Sequence, residues 1–470
     1  MGKIEIPYGL PDAGGVQNRP EKLELPPFGA PPGPDGEAAF PPPPPGPDVP
    51  FLPAVTIGKD GVVEKPVEEA SLSGSFSEGE AKDVSIQCSR PGINGIYIKD
   101  GIHYEMENVE IRFQGDGFND FDGNGAGIEA AGNTDVVLED AMVETTGVIR
   151  PCTVARDYAT LTVRNAVLVG NGGTLKPDEP RRPGPGMRQP PEGLGIGGNC
   201  RTHLSMGNSH AYFYDSKIIA DGWAALSTDA CKGDLYLEAN NCEVIVRHSG
   251  YATYSDNGAY VVLNSCKMDT EIGAILAGEC MAEINHCKVE ARDCLAMVHS
   301  VMGNTSEVGQ LSVTGGNIHT GKECICVKSQ NAYLDLRSAA LQSDSGVLLH
   351  SIVNPDAFAT KVKEGEKVYG IKAVLSDMDL SGDLVHEDTD RTMTVCLKHT
   401  SLTGGVQGAI LCLDGASIWT ADKESQVFLK KDGEEQGQVD ALEGVVIHAQ
   451  SDYLPEGETI LPSGGKLAVG

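Results

Sequence analysis

The chain has 470 residues, with 36 Lys and Arg against 67 Asp and Glu, a formal charge of −31. That balance repels phosphate backbones and anionic lipid surfaces, which argues against a nucleic-acid or membrane-surface role. No stretch reaches the roughly 18 uninterrupted apolar residues of a membrane span. The start MGKIEIPYGLPDAGG lacks the basic-then-apolar order of a secretory signal, so a soluble, cytoplasmic chain is expected, unless a leader has been removed. Thirteen Cys is an odd number and no CxxC pair occurs, which argues against a disulfide scaffold or a zinc site of common spacing.

In chain order, residues 1–52 come first, ending in PPFGAPPGPDGEAAFPPPPPGPDVPF. Proline cannot donate ladder hydrogen bonds and favours extended polyproline geometry. This N-terminal arm is either a linker or a strap that wraps its own or a neighbouring subunit, the latter being a route to a homo-oligomer. Residues 53–470 read as one domain of short runs rich in Val, Ile, Leu, Tyr and Thr, punctuated by Gly, Asn, Asp and Ser.

Within it, GDGFNDFDGNGAGIE places Asp120, Asp122 and Asn124 as the front half of a calcium loop. Ala131 stands where the loop's closing Glu belongs, and Asp, Asn and Gly are also ordinary turn residues, so calcium remains one of two readings there. No other cofactor is indicated. Residues 170–210 are too long for an ordinary turn and bring Arg181, Arg182, Arg188, Arg201, His203 and His210, which suit a lid over an anionic or polyhydroxylated substrate. A plain surface excursion is the alternative. A second insertion at 353–370 offers three lysines and says less.

From about 224 onward one short phrase returns: AALSTD, YATYSD, AILAGE, AMVHSV, ICVKSQ and VLLHSI, mostly 21 to 30 residues apart, with AILCLD at 409–414 and a looser VIRPCT at 148–153. Periods in that range mean stacked repeats. Neighbouring residues of a strand point to opposite faces. The third positions, Leu226, Thr253, Leu276, Val298, Val327, Leu349 and Leu411, are apolar or β-branched, and the fifth, such as Thr228, Ser255, Ser300 and Ser351, are small. Both columns are expected inside a narrow coil. Asn241-Cys242, Asn264-Ser-Cys266 and Asn285-His-Cys287 mark a bend, with stacked amides and with cysteines acting as small interior hydrophobes.

Coils such as GYATYSDNGAYVVLNSCKMDTEIG and GAILAGECMAEINHCKVEARDC resemble right-handed parallel β-helix repeats of the pectin-lyase-like superfamily, in particular the carbohydrate-binding-type repeats of anaerobic bacteria. The resemblance covers about 90–450. It implies an all-β, single-chain solenoid and sugar or uronate ligands, but that fold hosts lyases, hydrolases, isomerases and inert scaffolds alike.

The fourth and sixth positions of the phrase are expected to face outward. Read up the stack they give Cys152, Ser227, Tyr254, Ala277, His299, Lys328, His350 and Cys412, and Asp229, Asp256, Glu279, Val301, Gln330, Ile352 and Asp414. With coils about 4.8 Å apart, this sets three carboxylates beside a His, Lys, His run. Lys328 between histidines should titrate low and Glu279 or Asp256 among carboxylates high, as acid/base work near neutral pH requires.

His299 and Lys328 are the candidate bases, with Tyr254, Glu279, Asp256 and His350 completing the catalytic set. Asp229, Arg150, Arg201, His203 and Gln330 are the candidate substrate contacts. The expected function is an acid/base lyase or isomerase acting on a small hydroxylated or carboxylated molecule, such as a sugar acid or phenolic compound. In pectate-lyase-like members of the family, stacked acids bind calcium and a basic residue takes a proton beside a carboxylate. Asp229, Asp256 and Glu279 with Lys328 would imitate that arrangement. A glycoside hydrolase using Asp229 and Glu279, about 9 to 10 Å apart over two coils, and a non-catalytic carbohydrate-binding or structural β-helix are the alternatives. With only two Trp and 5% aromatic residues, exposed sugar platforms are scarce.

Overall fold

The computed structural model describes residues 51–470, apart from 65, 66, 68, 182–185, 230–233, 301–304 and 357–358. The proline-rich arm and its expected role in assembly lie outside the described residues. Strands dominate, and the helical pieces among the described residues are two 3-10 turns. No described helix is long and apolar enough to cross a membrane. The chain forms two compact units, which over the described residues comprise 51–274 with 356, and 275–355 with 359–470.

In the first unit each coil contributes three strands, and each strand pairs in parallel with its counterparts in the coils before and after. One stack runs Ile128–Ala131, Thr153–Arg156, Cys200–Met206, Trp223–Asp229 and Gly250–Ser255. A second runs Thr160–Arg164, His210–Tyr214, Leu235–Asn240 and Ala259–Asn264. The third runs Val167–Gly170, Lys217–Ala220, Glu243–Val246 and Lys267–Thr270. Antiparallel pairs, Leu52–Gly58 with Gly61–Glu64 and Ala70–Phe76 with Glu80–Cys88, stand before the regular coils.

The second unit repeats the plan. Ala296–His299 pairs with Ile325–Lys328 and that with Val347–Ile352, beside a longer stack from Cys280–Asn285 to Met393–Lys398. Its last coils add a separate parallel sheet of Asp379–Ser381, Ser401–Thr403, Ile418–Ala421 and Gln438–Ala441. The chain finishes with Gly457–Ile460 antiparallel to Lys466–Val469. Both units are parallel β-helices.

Interior alternation follows the repeated phrase. Leu226, Leu276, Val298, Val327 and Leu411 are completely buried, and Thr228, Ser255 and Ser351 are equally inaccessible. Each fully buried aliphatic side chain contributes about 1.5–3 kcal/mol, and like side chains stack on like because the coils are in register. The described cysteines are all buried.

One residue per coil turns the corner in the left-handed region: Asp140 (φ 52°), Asn165 (48°), Asp215 (49°), Asn241 (52°) and Ser265 (53°) in the first unit, then His286 (54°), Ser338 (52°) and Asp377 (55°) in the second. Asp and Asn tolerate that geometry because their short polar side chains bond locally. Asn241, expected in the amide ladder, is therefore a corner residue, and its Nδ2 donates to Asp215 Oδ1 at 2.6 Å. The ladder forms one residue earlier, where Asn264 Nδ2 donates to Asn240 Oδ1 at 2.9 Å.

The expected 170–210 insertion is shorter than its composition suggested. Among the described residues, only those of 171–181 and 186–199 leave the coils, while Cys200–Met206 and His210–Tyr214 are regular strands. Arg188 within the excursion is held by Asp116 at 2.7 Å and Glu179 at 3.6 Å.

Candidate functional site

The column of polar residues read from the repeated phrase divides between the units. Asp229, Tyr254 and Asp256 belong to the first, and Glu279, His299, Lys328, Gln330 and His350 to the second.

In the second unit His299 lies directly opposite Lys328 on the next strand, and the Gly278 amide donates to the His299 carbonyl at 3.4 Å. These backbone contacts bring Glu279, His299 and Lys328 onto successive rungs. His299 is only 5% exposed, against the expectation of an open face. Neither ring nitrogen has a hydrogen-bond partner among the described residues. Burial, helped by the Lys328 charge, pushes its imidazole down to about 4, so it is neutral at pH 7. Burial, then the Glu307 charge, pushes the Glu279 carboxyl above its ordinary value. A neutral imidazole and a carboxyl biased toward its protonated form are complementary proton-transfer groups.

Gln330 does not face a substrate. Its amide donates to the carbonyls of Gly278 at 3.2 Å and Glu307 at 3.0 Å, clamping the segment that carries Glu307 against the rung of Glu279. The 353–370 insertion, which offered little in sequence, returns onto this column. Ser300 Oγ donates to Thr360 Oγ1 at 2.6 Å, and the Asn354 amide donates to Ser329 Oγ at 2.8 Å.

His350 leaves the column. Lys328 is opposite Ile352, while His350 is opposite Cys326 and pairs with Glu387 at 3.2 Å. The strand has slid by two residues. A two-residue slide keeps every buried side chain buried, so the apolar pattern cannot forbid it.

The first unit holds a different kind of cluster. Arg201 is 1% exposed and donates through Nε and Nη2 to Asp120 Oδ2, at 2.9 and 2.7 Å, and through Nη1 to Asp229 Oδ2 at 2.8 Å. Its guanidinium lies 4.5 Å from the Trp223 ring centroid and 4.9 Å from that of Phe121. Burial alone would lower the Arg201 pKa, but Asp120 and Asp229 raise it above its ordinary value. Such a triad removes three charges from water and is stable only while complete. It fastens the 3-10 turn Asp120–Asp122 onto the coil strands, so Arg201 is enclosed in the fold, while Asp229, paired with it, keeps 16% of its side chain exposed.

Of the calcium-loop candidates, Asp120 gives Oδ2 to Arg201 and Asp122 accepts from Asn119 Nδ2 at 2.5 Å, while Asp120 Oδ1 and Asn124 Oδ1 are buried without a hydrogen-bond partner among the described residues. No three His, Cys, Asp or Glu among the described residues are grouped to hold a metal ion.

Arg150 and His203 are likewise interior. Arg150 donates to the carbonyls of Ile93, Arg90, Gln114 and Gly115 at 2.9 to 3.2 Å. His203 sits between Thr153 Oγ1 (2.9 Å) and Ser205 Oγ (2.8 Å), and burial pushes it down to about 3. Tyr254, opposite Ser227, is half-buried, as is Asp256.

Glu129 escaped the sequence reading. It is fully buried, accepts from Arg156 Nε at 2.7 Å and Asn94 Nδ2 at 2.9 Å, and burial raises it to about 7 against the pull of Arg156. The signal was a lone Glu in the apolar run GIEAAG. Asn94 also donates to the Gly123 carbonyl and accepts from the Gly125 amide, so this pair pins the same loop as Arg201.

Against known proteins, no family model matches the chain. No curated protein sequence matches it either.

Proposed function

We propose that the chain is an intracellular acid/base enzyme of pectin-lyase-like type, a lyase or isomerase for a small hydroxylated or carboxylated molecule, working at Glu279, His299 and Lys328. The observation that carries this reading is His299: a neutral, buried imidazole with both nitrogens unpartnered among the described residues, next to a lysine. Placing an imidazole there without a bond to either nitrogen costs free energy, which is the expected cost of a group kept for a ligand.

In the proposed reaction His299 takes the proton from the carbon next to a carbonyl or carboxylate, and Lys328 stabilises the negative charge that develops on the adjoining oxygen. Glu279, biased toward its acid form, returns a proton to the leaving oxygen or to the neighbouring carbon. The 353–370 segment, bonded to Ser300 and Ser329, has to yield for a substrate to enter. That no disulfide joins the described cysteines fits an intracellular setting.

A non-catalytic β-helix is the second reading, and the low exposure of His299 favours it. A thermal-shift screen against sugar acids, phenolic acids and glycosides separates the two. The enzyme reading expects a compound that raises the Tm of the wild type and is turned over, with turnover falling about 10²-fold or more in His299→Ala. No stabilising compound, and His299→Ala and Lys328→Ala variants indistinguishable from wild type, would leave the scaffold.

A further inference from the structure

On the outer face of the second unit's last coils, two cysteines occupy matching positions of successive rungs. Cys396 on Met393–Lys398 is directly opposite Cys412 on Val406–Leu413. Rungs lie about 4.8 Å apart, inside the Cα separation of about 4.4–6.8 Å that a disulfide spans. Both side chains point away from the interior, which is filled by their chain neighbours Val395 and Leu397 on one rung and Leu411 and Leu413 on the next. The two thiols are hydrogen-bonded to each other.

The surroundings are basic, in an acidic protein. Lys398 lies two residues along the same face, Lys430 is opposite Cys412 on the following rung, and Lys372 is opposite Thr394 on the preceding one. Asp432 offsets part of this charge through its pair with Lys398. The hydrogen bond with Cys412, helped by Lys372 and Lys398, holds the Cys396 thiol below its ordinary value against burial, and the same bond pushes Cys412 up. The thiolate is the nucleophilic form of cysteine, and a basic, partly open setting is what makes one reactive. With 9% and 4% exposure, Cys396 and Cys412 are open to a small reagent and closed to a bulky one.

A second pair shows what is particular to the first. Cys242 and Cys266 are also hydrogen-bonded to each other, but they are 2% and 1% exposed. Their thiols donate to the carbonyls of Asn240, Ala239 and Asn264, and the bond between them, with burial, pushes Cys242 up.

We propose that Cys396 and Cys412 are a peroxide-reactive dithiol that closes to a disulfide across two rungs. The Cys396 sulfur attacks one oxygen of hydrogen peroxide. The S–O bond forms, the O–O bond breaks, and the other oxygen leaves as water with the thiol proton, so Cys396 becomes a sulfenic acid. The Cys412 sulfur then attacks the sulfenic sulfur. The S–S bond forms, the S–O bond breaks, and the departing hydroxide takes the Cys412 proton as a second water. The two thiols lose two electrons and the peroxide gains two. No group of the His299 site takes part.

The test treats the reduced full chain with hydrogen peroxide over a time course, stops each sample by alkylation and digests it with trypsin. Cleavage after Arg391, Lys398 and Lys423 leaves Cys396 in 392–398 and Cys412 in 399–423. The expected product is these two peptides joined by a disulfide, formed at least about tenfold faster than any product of Cys242 or Cys266 and reversed by dithiothreitol. In Cys412→Ser the reaction stops at the sulfenic acid, and Cys396 is expected to take up dimedone. In Cys396→Ser, Cys412 is expected to remain a thiol. The wild-type time course decides the matter even if either variant fails to fold. No joined peptide, oxidation of Cys242 or Cys266 at a similar rate, or dimedone on Cys412 in place of Cys396 overturns the proposal.

Discussion

His203 shows what burial does to a titratable group when no charge compensates it. Its two nitrogens are bonded to hydroxyls and its surroundings hold it neutral, down to about 3, whereas the unfolded chain protonates a histidine near 6.5. Below about pH 6.5 the unfolded state therefore binds a proton that the folded state refuses. The stability contribution is full above pH 6.5 and is lost as pH falls toward 3. His299 acts in the same direction, down to about 4. Glu129, raised to about 7, acts oppositely between its unfolded value and 7. A His203→Gln variant keeps a hydrogen-bonding side chain but no longer titrates. Its unfolding free energy, measured in urea at several pH values between 4.5 and 6.5, is expected to fall less steeply on acidification than that of wild type, by about 1.4 kcal/mol per pH unit. Equal slopes would mean that His203 is solvated and free to protonate in the fold.

At the scale of the element, the coil corner is the unit that repeats most faithfully. Ser265 is exposed and sits at φ 53°, so a substitution there acts through the backbone and not through packing. A β-branched residue is disfavoured in that region and glycine is not, by about 1–2 kcal/mol. Ser265→Val is expected to be destabilised relative to Ser265→Gly by that amount in urea melts, and equal midpoints would show that the corner relaxes out of the left-handed region. The same element explains what could be read without a structure. The inward column of Leu226, Val298 and Val327 was legible because alternation ties apolar identity to one face. The slide that separates Lys328 from His350 was not, because it preserves that alternation. Nor was the strand Cys200–Met206, whose Arg201 and His203 are polar yet interior, because a side chain satisfied by Asp120 or Thr153 reads in sequence like one facing water. Of the proposed site, the neighbouring rungs of His299 and Lys328 were legible. The closure of the 353–370 segment onto Ser300 and Ser329 was not, since nothing in a loop's composition says where it returns.

For the molecule as a whole, the dominant long-range term is its charge of −31. Like charges at this density repel across a Debye length of about 30 Å at 0.01 M salt but only about 8 Å at 0.15 M. The surface carries ion pairs such as Lys217–Glu243 at 2.8 Å, which salt weakens, but each exposed pair is worth only about 0–1 kcal/mol. With 67 acids against 36 bases, at least 31 acids (67 − 36) have no base to pair with one to one. Repulsion should therefore win, and the Tm is expected to rise between about 10 and 150 mM NaCl; a fall would show that the ion pairs outweigh the excess. The same field acts on ligands. A sugar acid approaching Lys328 meets a negative molecule, so its affinity should strengthen as salt rises, until the Lys328 contact itself is screened. An affinity that instead weakened steadily from the lowest salt upward would show that the local contact with Lys328, and not the net charge, governs binding.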